Sequence, residues 1–161
     1  MENYSVLMSV YYKEQAENLR EAIDSILNQT VKTNEFIIVK DGPLTEKLDN
    51  TIKEYVEEYP GVFKIITLEK NMGLAKALNK GIEQCSNEII ARMDSDDISM
   101  PDRMERQLEA MEANRADILS GTIVEFDESV DKPTAKRELP EKNEQIIEFA
   151  KKRSPFNHPA V

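Results

Sequence analysis

Strand-length apolar runs alternate with amphipathic helical stripes along most of this chain, and this alternation restricts the fold more than any other feature. The apolar runs cover residues 5–10, 35–39, 62–68 and 88–93. Between the first two runs, apolar residues recur at the spacing of one helix face, at Leu19, Ala22, Ile23, Ile26 and Leu27. Repeated strand–helix alternation predicts an α/β fold, in which a mainly parallel central sheet is flanked by helices on both faces.

The same spacing predicts the remaining elements. A second helix carries Leu48, Ile52, Tyr55, Val56 and Tyr59 and ends at Pro60-Gly61. A third helix is expected to bury the stripe of Leu74, Leu78, Ile82 and Cys85. A fourth, with Pro101 in its first turn, is expected to bury Met104, Leu108 and Met111. Beyond it we expect a strand over 118–126, a polar loop over 127–137, and a helix opened by Pro140 with Ile146, Ile147 and Ala150.

Length and cysteine content indicate one domain in a reducing compartment. The chain has 161 residues and a mass of 18.4 kDa, which suits a single domain over 1–161. Its one cysteine, Cys85, cannot form an internal disulfide. No apolar stretch approaches the roughly 20 residues of a membrane helix, and no signal peptide is visible. We therefore expect a cytoplasmic protein.

Net charge excludes one class of ligand. Asp and Glu total 31 against 21 Lys and Arg, so the formal net charge is −10. Such a surface repels polyanions, which argues against general nucleic-acid binding. It leaves room for a small phosphorylated ligand that is held through a metal ion.

The acidic cluster after the fourth apolar run is the most informative motif. Asp94, Asp96 and Asp97 follow a buried strand directly, and carboxylates so close together repel one another unless a cation or several donors compensate. Mg²⁺ typically takes one or two carboxylates and completes its shell with water and phosphate. The alternative is that these acids cap the next helix, but Ser99 lies closer to that helix and is expected to cap it with Asp102.

Other polar residues are expected at the same edge of the sheet, where α/β proteins bind ligands. Asp41 follows the second strand, where it either belongs to an ordinary turn or accepts a hydrogen bond from a base or ribose. Tyr11 and Tyr12 alternate in direction, so one ring should face the core and the other the cleft. Lys76 lies in the first turn of the third helix, whose N-terminus would attract phosphate. The fingerprints GxGxxG and GxxxxGK[ST] are both missing from the sequence.

Together these segments resemble glycosyltransferase family 2, whose members are inverting enzymes with the GT-A fold, a Rossmann-like sandwich. The resemblance is carried from residue 5 to residue 114 by the first strand with its two tyrosines, Ser25-Ile26-Leu27-Asn28-Gln29-Thr30, residues 35–42, residues 71–81, and Asp94–Asp97 followed by Pro101-Asp102-Arg103. Their order and spacing together make the resemblance specific.

The resemblance implies a role for each matching residue. Tyr11 would line the base pocket, Asp41 would recognise the nucleobase, usually uracil, and Lys76 would lie near the diphosphate. Asp94 and Asp96 match the outer residues of the Asp-x-Asp motif, with Asp96 as the more direct ligand of Mn²⁺ or Mg²⁺. Asp97 would extend the site toward the donor sugar. The implied partners are a nucleotide sugar, expected to be a UDP-sugar, and a glycan or lipid-linked acceptor, as in polysaccharide biosynthesis.

The chain also departs from the family pattern. Lys40-Asp41-Gly42-Pro43 stands where the family usually has Asp-Asp-Gly-Ser, and Tyr12 stands where Asn is frequent. The family's catalytic base typically lies in a later Glu-Asp pair, so we expect the base beyond Val161, a chain truncated at its C-terminus, and a fragment that is inactive alone. The full-length protein is expected at the inner face of the membrane. The alternatives are a magnesium-dependent phosphotransferase with an aspartyl nucleophile, and an inactive nucleotide-binding or interaction domain.

Overall fold

Four parallel strands form the central sheet of the computed structural model, which describes residues 3–127 and 131–161. They are β1 (Tyr4–Val10), β2 (Glu35–Lys40), β3 (Phe63–Thr67) and β4 (Ile89–Asp94), paired in the order β3-β2-β1-β4. The prediction of an α/β fold with a mainly parallel sheet is confirmed. Because the strands are parallel, the residues that follow them reach the same edge of the sheet.

Helices cover both faces of this sheet. They are α1 (Ala16–Leu27), α2 (Glu46–Glu58), α3 (Leu74–Ile82) and α4 (Arg103–Asn114). The larger core lies on one face and joins α1, α2 and α4 to the inward side chains of Tyr4, Val6, Met8, Val10, Phe36 and Ile38. The opposite face packs under α3 through Leu7, Ile37, Val39 and Ala77. Successive residues of β1 thus serve opposite cores, as a strand buried on both faces requires.

The prediction of which side chains α3 buries is wrong for Leu74 and Ile82, whereas Leu78 and Cys85 are partly buried against this core as predicted. Leu74 and Ile82 are 49% and 48% exposed, whereas Ala77 and Gly81 are buried against the sheet. The reason is the close approach of α3 to β1 and β2, since a Cβ at Gly81 would collide with the Leu7 side chain. Only small residues fit the line of closest contact, so Leu74 and Ile82 lie to one side of it.

The region after α4 differs most from expectation. The fifth strand is shorter than predicted and pairs outside the main sheet, as an antiparallel hairpin of β5 (Ile123–Phe126) with β6 (Pro133–Arg137). The predicted loop over 127–137 is therefore wrong for 133–137, and its residues 128–130 lie outside the described residues. Every residue of β6 is exposed, so no apolar alternation could reveal this strand.

Two short helices complete the described chain. Helix α5 (Asn143–Ala150) begins three residues after Pro140 and buries none of its side chains. A 3₁₀ helix (His158–Ala160) contacts β4, beside which the carbonyl of Val161 accepts a 2.6 Å hydrogen bond from the Arg92 amide. Among the described residues, no helix combines the length and apolar character needed to cross a membrane.

Candidate functional site

The turn after β1 presents two aromatic rings to solvent. Tyr11 and Tyr12 are 42% and 51% exposed, and their rings meet edge to face with centroids 5.9 Å apart. The expectation that one ring faces the core is wrong, because Val10 is the last buried residue of the strand and both tyrosines leave the sheet. A backbone hydrogen bond of 3.1 Å from Glu14 N to Tyr11 O closes the turn. An exposed ring here is available to stack on a planar group.

Asp41 is committed to the loop that precedes α3. The residue is 3% exposed, and its carboxylate accepts hydrogen bonds from the amides of Met72 at 2.7 Å and Gly73 at 3.0 Å. Its own amide donates to Val10 O at 2.8 Å. The side chain therefore ties the end of β2 to the start of α3. Its role in nucleobase recognition stays a prediction.

Gly42 lets the Asp41 turn pack directly on this loop. Its φ is +87°, and a Cβ there would lie 2.6 Å from the amide nitrogen of Asn71. The Asn71 side-chain amide reaches back to the Asp41 carbonyl at 3.3 Å. Both the conformation and the contact require glycine at this position.

Lys76 lies in the exposed first turn of α3. Gly73 precedes the helix with a φ of +87°, and its carbonyl accepts the amides of Lys76 and Ala77, both at 3.1 Å. A helix that begins at this edge of the sheet presents amide donors and the lysine to any anion bound there. The arrangement fits the predicted position near a diphosphate, and that role stays a prediction.

Lys40, where the chain departs from the family pattern, points away from the site. Its ammonium pairs with Asp49 of α2 at 2.5 Å, on the face of the sheet opposite Asp41. The lysine thus adds no positive charge beside Asp41.

The end of β4 and the loop that follows it carry the three predicted acids. Asp94 Oδ1 accepts a 2.6 Å bond from Nη2 of Arg92, which lies two residues earlier on the same strand. Burial raises the pKa of Asp94 and Asp96 adds to the effect, while Arg92 and His158 oppose it. Burial, followed by repulsion from Asp96 and Asp94, raises the pKa of Asp97 to about 6. The loop therefore holds more negative charge than its protein neighbours compensate.

This donor set fits a hard divalent cation only with help from other ligands. In the part of the chain that the structure describes, no three His, Cys, Asp or Glu side chains are arranged to hold a metal ion. Asp94 is partly engaged by Arg92, whereas Asp96 is exposed. The acids could supply one or two carboxylates, with phosphate and water completing the shell.

These acids do not serve as helix caps, and neither does Ser99. Helix α4 begins at Arg103 and its N-cap residue, Asp102, makes no side-chain cap bond. The Ser99 hydroxyl instead accepts from Arg103 Nη1 at 3.1 Å and donates to Met93 Sδ at 3.5 Å. The predicted capping by Ser99 with Asp102 is therefore wrong, because the buried guanidinium of Arg103 occupies this hydroxyl.

Sequence reasoning gave no role to two residues near the acids. Glu14 accepts a 2.7 Å hydrogen bond from the hydroxyl of Ser95, between Asp94 and Asp96. His158 also counters the rise in the pKa of Asp94, because the 3₁₀ helix that carries it packs against β4. Glu14 is 81 positions from Ser95 in the chain, so no local pattern could indicate their contact.

Among the cavities of the described residues, two flank the sheet, and the larger of these two is not near the acids. It has a volume of about 660 Å³ and lies between the start of β4 and the end of α4, with Ile90, Met111 and Val161 in its wall. The smaller, of about 440 Å³, is open to solvent between the loops after β1 and β2 and includes Tyr12, Glu14 and Thr45. We favour the smaller one as part of the site, since it lies at the edge where the polar loops meet.

The chain matches a described protein family over nearly its whole length. The family model for glycosyl transferase family 2 covers residues 5–160. The amylovoran biosynthesis glycosyltransferase AmsE of Erwinia amylovora is 44% identical over 98% of this chain and 58% of its own length. The UDP-Gal:alpha-D-GlcNAc-diphosphoundecaprenol beta-1,3-galactosyltransferase of Escherichia coli is 42% identical over 98% of this chain and 57% of its own. The chain thus spans just under three fifths of these relatives.

Solved structures share the fold. S. aureus TarS 1-349 in complex with UDP-GlcNAc superimposes with a TM-score of 0.60 at 22% identity, covering 76% of this chain and 33% of its own. The mannosyltransferase PcManGT from Pyrobaculum calidifontis, in complex with GDP-Man and Mn²⁺, superimposes with a TM-score of 0.61 at 19% identity, covering 68% of this chain and 32% of its own. These neighbours are GT-A enzymes, and the predicted fold is confirmed. The chain belongs to glycosyl transferase family 2.

Proposed function

We propose that this chain is the donor-binding part of an inverting glycosyltransferase that holds a UDP-sugar through Mn²⁺ or Mg²⁺ and passes the sugar to an acceptor hydroxyl. The observation that carries the proposal is the meeting of three loops at one edge of the parallel sheet. One loop offers exposed tyrosines, one a helix N-terminus with Lys76, and one the undercompensated carboxylates of Asp94, Asp96 and Asp97. These are complementary to a base, a diphosphate and a cation.

Each loop has a distinct task in this proposal. The Tyr11 ring stacks on the nucleobase, and Asp41 shapes the base side of the site by holding the loop that precedes α3. Lys76 and the first amides of α3 offset the charge of the diphosphate. Asp96, the most exposed of the three acids, is the first candidate for the cation, with Asp94 beside it and Asp97 toward the sugar.

The reaction would break the bond between the anomeric carbon and the diphosphate oxygen and form one to the acceptor oxygen. The acceptor proton passes to a base, and the nucleoside diphosphate leaves with both bonding electrons. A bound divalent ion would stabilise that departing charge as a Lewis acid. We assign the base to no residue of this chain.

Relatives and neighbours support the choice of ligands. TarS was solved with UDP-GlcNAc and PcManGT with Mn²⁺. The E. coli relative is named for a UDP-galactose donor and a diphosphoundecaprenol-linked acceptor. We therefore propose a UDP-sugar donor and a lipid-linked glycan acceptor, which would place the full-length protein at the inner face of the membrane.

Calorimetric titration tests the proposal. UDP, GDP and dTDP are titrated into the protein with Mn²⁺ and again with EDTA. We expect UDP to bind in the presence of the metal and Asp96→Ala to abolish that binding, while Asp117→Ala, an exposed acid outside the site, leaves it unchanged. Absence of metal-dependent binding by all three nucleotides in a folded sample would overturn the proposal. A phosphorylated Asp94, trapped on a phosphate donor, would instead support the phosphotransferase alternative.

A further inference from the structure

Among the residues that the structure describes, one side-chain hydrogen bond joins two of the three loops that make up the candidate site. Glu14, in the turn after β1, accepts from the hydroxyl of Ser95 at 2.7 Å, and Ser95 is 6% exposed. Because the acceptor is a carboxylate and the donor is buried, this bond belongs to the stronger class of protein hydrogen bonds.

Glu14 is itself held firmly in its own turn. Its other carboxylate oxygen accepts the Gln15 amide at 2.7 Å and the Asn18 side chain at 3.3 Å. Its backbone amide donates to the carbonyl of Tyr11 at 3.1 Å. The carboxylate thus has a fixed position relative to the tyrosine turn before it meets Ser95.

Ser95 is the one residue between Asp94 and Asp96, so its anchorage fixes the backbone that carries both acids. Asp94 has a second restraint from Arg92 at 2.6 Å. Asp96 has no side-chain hydrogen bond or ion pair among the described contacts and depends on the backbone alone for its position. Loss of the Glu14–Ser95 bond would therefore affect Asp96 most.

We propose that Glu14 is a positioning residue: through Ser95 it holds the acidic loop against the tyrosine turn, so that the base side and the cation side of the site are arranged before a nucleoside diphosphate binds. This inference rests on the proposed function. Glu14 acts through Ser95 and need not touch the ligand. A prearranged site binds more tightly because less ordering is required on binding.

The positioning role of Glu14 is tested by titrating UDP, in saturating Mn²⁺, into the wild type and four variants. These are Glu14→Ala, Glu14→Gln, Ser95→Ala and the double variant Glu14→Ala/Ser95→Ala. We expect Glu14→Ala and Ser95→Ala each to weaken binding about 10-fold, the loss of one charge-assisted hydrogen bond. The double variant should be no weaker than either single one, because all three lack the same bond. Glu14→Gln should weaken binding less than Glu14→Ala, since its one amide oxygen can still accept from Ser95 although the bond from the Gln15 amide is then lost. Glu21→Ala, which removes an exposed acid of α1 outside the cavity, is the matched control.

Hydrogen exchange in the ligand-free protein separates this role from the proposed function. The peptide over 94–97 should exchange faster in Glu14→Ala and Ser95→Ala and at the wild-type rate in Glu21→Ala. Additive losses in the double variant, a Glu14→Gln as weak as Glu14→Ala, or unchanged exchange would each overturn the positioning role. Failure of the wild type to bind any nucleotide with Mn²⁺ would overturn the proposed function, while the exchange rates still report whether Glu14 orders the loop.

Discussion

Gly81 of α3 lies directly on Leu7 of β1, so close that an added Cβ would collide with Leu7 Cδ1 and lie 2.9 Å from Val39 Cγ2. Alanine usually stabilises a helix interior by about 0.5–1 kcal/mol relative to glycine. Here we expect the opposite sign, because overpacking a rigid core costs about 1–3 kcal/mol. Urea unfolding of Gly81→Ala should show this loss.

Gly121→Ala is the matched control for that experiment. A Cβ at position 121 would lie 3.7 Å from its nearest neighbours, which is ordinary van der Waals contact. We expect its stability to stay close to that of the wild type. A Gly81→Ala protein as stable as Gly121→Ala would contradict the close packing of α3 on the sheet.

Glu35 should make folding stability depend on pH in acid. Burial opposes its ionisation, but hydrogen bonds from Lys64, Ser5 and Ser86 outweigh burial and lower the pKa of Glu35 to about 2. Because the folded pKa lies below the unfolded value of 4.5, the stabilisation is complete above that value and is lost as the pH falls toward 2. Glu35→Gln should lower the free energy of unfolding at pH 7 by about 1–2 kcal/mol, a figure reduced for the solvent screening of the half-exposed Lys64.

Urea unfolding at pH 7 and at pH 3 measures this effect. The difference in free energy of unfolding between Glu35→Gln and wild type should be smaller at pH 3 than at pH 7. Glu57→Gln, which removes an exposed partner of Lys53, should match the wild type at both. A difference that does not change with pH would mean that the ionised carboxylate is not what stabilises the fold.

Asp97 is expected to destabilise the metal-free protein at neutral pH. Burial and then the charges of Asp96 and Asp94 raise its pKa from 3.8 to about 6. Because the folded protein retains this proton more tightly than the unfolded chain, stability falls as the pH rises from about 4 to 6. In EDTA at pH 7, the Asp97→Asn variant should therefore be more stable than the wild type by about 1–2 kcal/mol.

Thermal unfolding of Asp97→Asn beside Asp117→Asn checks this, because Asp117 is exposed. The gain of Asp97→Asn should disappear at pH 4, where the wild-type side chain is itself protonated in the folded state. A gain of equal size at both pH values would point to packing rather than charge.

Asp41 should contribute to stability as well as to any binding role. Replacing it with Asn removes one of the two acceptors that hold the amides of Met72 and Gly73, at a cost of about 1–3 kcal/mol. Chemical unfolding should show the loss, and hydrogen exchange should speed up at both amides. Unchanged stability with weakened UDP binding would instead assign this carboxylate to the ligand.

The central α/β layers were predictable because their apolar periods are clear. The four parallel strands and four helices lie within a few residues of their predicted positions, since buried strands and amphipathic helices follow directly from those periods. The line of closest contact of α3 was not predictable, because the small residues Ala77 and Gly81 make it, while Leu78 packs only partly against the core and Leu74 is exposed. The exposed β6 strand shows no apolar alternation that could have revealed it.

The candidate site was predictable in its members and less so in its connections. Topology places the loops after β1, β2 and β4 at one edge, so the sequence could nominate Tyr11, Asp41 and the acids together. It could not indicate that Asp41 would be occupied by two amides, or that Glu14 would hold Ser95. Such contacts join residues far apart in the chain, and their geometry depends on the completed fold.

Lys40 and Asp41 are adjacent in the chain yet serve opposite faces of the sheet, one bonded to α2 and the other to the loop before α3. The two positions are therefore independent targets for protein engineering. Randomising residue 40 would sample how a helix docks on the sheet and leave the ligand side as it is. Randomising residue 41 would sample the shape of the site itself.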